Sequence, residues 1–242
     1  MRRHCPATSS TPLPPTETPT PTTPPIQTPT ETTPPVTETP PPSGSGEASG
    51  SFTVDQLLAI DSNTASCDGA PFAEECADAT KAAPFIGASF DKYGITSAGE
   101  KAALISLILF ETGSLKYDRN HFPEPGRPGQ GTRNLMMWPG VYQYATTLAE
   151  TSAEAMSLAP SQDAAGDDVK NQVRALVLKD EFSFASAAWY YKTNCGDKQD
   201  IVDGLKAGTQ AGWEQYITQC VFTTVTGDRQ SSWQKALEVL NK

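Results

Sequence analysis

From Phe52 onward, apolar residues recur at spacings of three and four, and alternation of strand type is scarce. The pattern predicts a mainly α fold. Helices are expected over residues 54–60, 74–83, 85–93 and 98–111, then over 141–151, 168–178, 181–191, 201–207, 213–221 and 231–240. Ser97 followed by Glu100 is a capping-box start for the helix at 98–111, and Gly113 marks its stop. Within it, Ala102, Ala103, Leu104, Ile105, Leu107, Ile108, Leu109 and Phe110 leave almost no polar face. Such a helix is buried on all sides, at the centre of its domain. One long interruption follows between Gly113 and Gly140, holding Pro123, Pro125, Pro128 and Pro139 among several glycines. Loops of this length in compact domains are usually functional or disordered, and any strand content, a small β-hairpin at most, belongs here. There is no internal repeat.

Ahead of the helical part, residues 9–42 are nearly all Thr and Pro, with Leu13, Ile26 and Val36 as their only large apolar side chains. So little apolar area does not offset the entropy of ordering a chain. Residues 1–50 are therefore expected to be a disordered linker and 51–242 the folded domain, with the glycines of 44–50 as a flexible join. Thr/Pro tracts of this kind mark O-glycosylated stalks of secreted proteins; a bare tail without sugar is the alternative.

The net charge is −10, and neither Lys nor Arg gathers into a stripe, which argues against a nucleic-acid or anionic-membrane partner. The apolar run 102–110 is too short to span a bilayer, and Met1-Arg2-Arg3-His4-Cys5 has no apolar signal region. A secreted, extracellular protein would then have its signal peptide, and any N-terminal module, upstream of Met1. Of five cysteines, Cys67 and Cys76 are near neighbours, and Cys195 and Cys220 flank one helical stretch. Disulfides Cys67–Cys76 and Cys195–Cys220 are expected, with four reduced thiols as the alternative. Their spacings do not suit zinc. Cys5 stands alone, as the last cysteine of a truncated upstream module would.

Glu111 is the last residue before the chain leaves the apolar helix. Partial desolvation and the negative end of the helix dipole both disfavour its charged form, so its pKa should rise. A carboxylic acid of raised pKa is what glycoside cleavage needs to protonate the leaving oxygen. The sequence Glu111-Thr112-Gly113, then Asn134-Leu135-Met136-Met137-Trp138-Pro139, then Ala187-Ala188-Trp189-Tyr190-Tyr191, resembles the active-site frame of the lysozyme-like superfamily. Goose-type lysozymes and soluble lytic transglycosylases are its members, and fungal muramidases with an SH3-like wall-binding module are similar in their Thr/Pro-rich linker. That resemblance implies a lysozyme-like fold and a monomeric muramidase, a glycoside hydrolase that cuts β-1,4 bonds of bacterial peptidoglycan. Glu111 would be the general acid, Asn134 to Met137 the cleft wall, and Tyr190 the hydrogen-bond partner of the acid. Met137 stands where the family has Gln, so Gln130 or Asn134 would have to supply the substrate-side amide. No metal or organic cofactor is implied.

An inverting glycosidase needs a second carboxylate about 6.5–9.5 Å from the first. Asp118 is the candidate, with loop capping as its alternative role, and Glu124 ranks below it. Trp138, at the end of the loop, is expected to stack on a saccharide, whereas Trp189, Trp213 and Trp233 sit at helical apolar positions and belong to the core. Tyr117, Tyr190 and Tyr191 suit either packing or a subsite. Asp163, Asp167 and Asp168 read as a solvated turn capping the next helix, and His121 as a loop-surface residue. Two other functions compete: a chitinase or chitosanase on the same scaffold, and a non-catalytic secreted protein that binds cell walls.

Overall fold

A computed structural model describes residues 52–242. The Thr/Pro-rich segment, residues 44–50 and Cys5 lie outside the described residues. What is described is mainly helical. Helix α1, Val54–Ile60, opens on a capping box between Thr53 and Gln56, and its last turn passes into a 3₁₀ turn, Ser62–Ala65. Helix α2, Ala79–Tyr93, starts later than the sequence pattern predicts. The side chain of Asp78 caps Lys81 N–H and sets the start, while the residues before it are held in a turn by the Cys67–Cys76 disulfide and buried Glu75. The helix also runs through Pro84, where a break was expected; a proline in the second turn gives up only one hydrogen bond.

Helix α3, Ala98–Glu111, is the central element, with every residue from Ala102 to Leu109 buried. Helix α4, Trp138–Thr147, begins earlier than predicted because Pro139 fits the first turn, where its missing N–H costs nothing. It ends sooner as well, and a separate helix α5, Ser152–Leu158, follows. Helix α6 covers Asp167–Leu176 with Asp167 and Asp168 in its first turn. The single helix expected over 181–191 is two, α7 Asp180–Ser183 and α8 Ser186–Asn194. Helices α9, Gln199–Lys206, and α10, Gln210–Gln215, come next; α10 continues into a π-helical turn, Tyr216–Cys220, before α11, Gly227–Leu240. None of these helices is long and apolar enough to cross a membrane.

Two apolar clusters organise the helices. The larger surrounds α3 and contains Leu57, Ile86, Leu104, Ile105, Ile108, Leu205, Trp213 and Trp233, with α11 packed along α3. The indoles of Trp213 and Trp233 stack at 5.0 Å. The second cluster joins α4, α5, α6, α7 and α8 through Val141, Tyr144, Ala155, Val173, Phe182 and Trp189. Tyr190 of α8 packs against both. A second disulfide, Cys195–Cys220, ties the end of α8 to the π-helical turn.

Between α3 and α4 the chain forms no β-hairpin: among the described residues it makes only isolated antiparallel bridges, Arg119 with Gly131 and Gly131 with Met136. Polar side chains hold it instead. The guanidinium of buried Arg133 donates to the carbonyls of Leu115 (3.1 Å), Tyr117 (3.0 Å) and Glu75 (2.7 Å), and lies over the ring of Phe184. The carboxylate of Glu75 accepts from Asp118 N–H, pairs with Arg119 at 3.0 Å and sits 2.7 Å from His121 Nε2. A buried carboxylate is stable only when compensated in this way.

Candidate functional site: a groove at the end of the central helix

Helix α3 stops where Thr112 folds its hydroxyl back to the carbonyl of Ile108 at 2.6 Å and Gly113 turns left-handed (φ +55°). Glu111 is thereby placed at the floor of a groove of about 460 Å³. Facing it is Arg229, carried in by the first turn of α11, whose N-cap Thr226 accepts from Arg229 N–H. Arg229 Nη2 donates to Glu111 Oε1 at 2.6 Å, and the guanidinium carbon lies 4.0 Å from the ring centroid of Phe110. The other guanidinium nitrogen, Nη1, is buried and has no partner; the same is true of Gln130 Oε1. Apolar side chains form much of the walls, among them Leu107, Met136, Met137, Pro139 and Phe222.

Several residues singled out in the sequence meet here. Glu111, Gln130, Asn134, Met137 and Tyr190 all line the groove. Gln130 donates through Nε2 to the carbonyl of Leu135, and Asn134 Oδ1 accepts from the hydroxyls of Thr132 and Ser186, so both amides are held in place. Tyr190 is not the partner of Glu111: its hydroxyl donates to the carbonyl of Cys220 at 3.1 Å, because the disulfide brings that carbonyl alongside α8. Burial raises its pKa.

Other expected site residues lie elsewhere. Asp118 is buried in the loop's polar network, with its carboxylate on Arg119, and does not reach the groove. Burial raises its pKa, with Arg119 opposing. Trp138 is buried in the second cluster with its indole N–H on the carbonyl of Gln162, so it offers no stacking face to the groove; as the first residue of α4 it is turned inward. His121 is not a surface residue either, being stacked on Phe72 at 3.7 Å and paired with Glu75. Tyr117 packs against Phe72 and His121, and Tyr191 is buried with its hydroxyl on Glu100. Arg127, Phe222 and Arg229 complete the groove but carry no sequence signal. Arg229 is 118 residues from Glu111, and nothing in a single sequence reports a pairing at that separation.

No family model and no solved structure matches the chain. It is similar to the bifunctional dioxygenase (DOX)-epoxy alcohol synthase (EAS) of Fusarium oxysporum (strain Fo5176), with 36% identity over 157 residues, which cover 65% of this chain and 12% of that protein. The similarity thus runs to an oxygenase and synthase rather than to a lysozyme-like protein. The lysozyme-like resemblance is corrected accordingly, and with it the muramidase, the glycoside hydrolase, the peptidoglycan substrate and the chitinase and wall-binding alternatives. It rested on a tripeptide, a Leu-Met pair and a short aromatic helix, which recur in unrelated chains.

Oxygen activation draws on a redox metal or an organic cofactor. Among the described residues no cluster of three or more His, Cys, Asp or Glu is placed to hold a metal ion. Their one histidine, His121, is engaged with Glu75, and their four cysteines form the two disulfides. The described residues thus offer no set of three such side chains to a redox metal.

Proposed function

We propose that the helical domain is a ligand-binding unit whose groove takes an elongated amphipathic molecule, one with an apolar stretch beside hydroxyl, epoxide or carboxylate oxygens. The observation that carries this reading is the floor of the groove. Glu111 and Arg229 are paired there with their side chains 23% and 11% exposed, beside the amides of Gln130 and Asn134. A hydrogen bond between a ligand oxygen and a charged group is stronger than one between neutral groups, so this floor favours an oxygen-bearing ligand. Apolar walls supply the remaining attraction. Epoxy alcohols, named for the synthase half of the Fusarium relative, combine these features. The 12% share of that relative covered here suits a domain within a larger protein. Two disulfides and the Thr/Pro-rich segment support an extracellular setting, with residues 51–242 as the binding domain.

Calorimetric titration of the full chain with a long-chain epoxy alcohol tests the reading. Saturable binding is expected, weakened about tenfold or more in Arg229→Gln, since losing a hydrogen bond to a charged group costs ~1.5–3 kcal/mol. Absence of binding, or equal affinity in the variant, would overturn it.

A further inference from the structure

Phe222 and Met137 break local rules in the lining of the same groove. Phe222 has φ +58°, in the left-handed region that a bulky side chain rarely occupies, and the residue is 72% exposed. Neither backbone nor burial explains a phenylalanine there. The position is nevertheless held firmly. Val221 N–H donates to the carbonyl of Tyr216 at 2.9 Å and Thr223 N–H to that of Ile217 at 3.0 Å, while the Cys195–Cys220 disulfide fixes the residue two places before. The ammonium of Lys198 donates to the carbonyl of Gln219 and lies 5.3 Å from the ring centroid of Phe222.

Met137 is the N-cap of α4, a position that favours Ser, Thr, Asp or Asn, and its side chain makes no capping bond. It is 50% exposed, with Arg127 Nη1 3.8 Å from its sulfur. Both residues line the groove together with Glu111 and Arg229. The other exposed large apolar side chains do not share this arrangement: Phe122 and Met156 are absent from the groove, and Phe110 lies beneath Arg229. Where a chain gives up a local preference without a folding gain, binding is the usual reason.

We infer that Phe222 and Met137 are specificity-determining residues that contact the apolar stretch of the bound molecule. The inference rests on the binding reading above and goes further by naming the side chains that select for an apolar segment. Its test uses Phe222→Gly and Met137→Ser in the full chain, with thermal melting and titration against the same long-chain epoxy alcohol.

Glycine accepts the positive φ and serine caps α4, so each variant should melt no lower than the wild type. Each should bind the epoxy alcohol about tenfold more weakly, the loss expected when apolar contact area is removed. Phe222→Tyr, which keeps the ring, should restore affinity. A lower melting temperature in either of the first two variants, or unchanged affinity in either, would overturn the inference. If the wild type binds and Arg229→Gln weakens it while Phe222→Gly does not, only this inference fails. If the wild type does not bind, the reading beneath it fails too.

Discussion

Glu111 ends a helix with almost no polar face, which is why it stands out in the sequence as a candidate proton donor. The fold gives it a cationic neighbour instead. Arg229 and Glu111 expose 11% and 23% of their side chains, so water screens the pair less than it would a surface salt bridge. Their coupling should be measurable by urea denaturation of Glu111→Gln, Arg229→Met and the double variant. Each single change is expected to cost about 2 kcal/mol, and the double variant less than the sum by about 1–2 kcal/mol. Strict additivity would mean that the pair contributes no interaction energy. Tyr190 shows how the same limit works in the other direction: its residue type suits a partner for the acid, but only the Cys195–Cys220 bond decides that its hydroxyl faces a carbonyl.

Helices announced by strong local chemistry were legible as elements. The capping box at Ser97 set the start of α3, and the apolar run set its burial. Boundaries that depend on partners were not. The start of α2 is fixed by Asp78 and a disulfide, and the split between α7 and α8 follows from no spacing in the sequence. Gly99 illustrates an element-scale demand with no local signal. Its Cα side abuts the carbonyl of Leu205 and the backbone of Gly208, so α3 and the end of α9 approach more closely than any side chain allows. Gly99→Ala should therefore destabilise the domain by about 2 kcal/mol, although alanine is the better helix former. A melting temperature at or above that of wild type would show that the two segments separate freely.

Across the molecule, the long segment between α3 and α4 is organised by charge buried at Glu75, Asp118 and Arg133 rather than by strands. This has a consequence for pH. Burial raises the Asp118 pKa above its ordinary value of 3.8, so between those two values the folded chain holds more protons than the unfolded one. The stability this contributes is complete below the ordinary value and is lost as pH rises through the raised one. Relative to Asp118→Asn, which does not titrate, the wild type should gain melting temperature as pH falls from neutral toward about 4. A difference that stays constant over that range would show that the buried carboxyl is not linked to folding. By itself the sequence determined the helical class, the central buried helix and the position of Glu111 at its end, because periodicity and capping act over a few residues. The tertiary structure alone decided what faces Glu111, which aromatic residues are buried and which are presented to the groove. Those choices depend on contacts between segments as far apart as α3 and α11, and a pattern of neighbours along the chain carries no record of them.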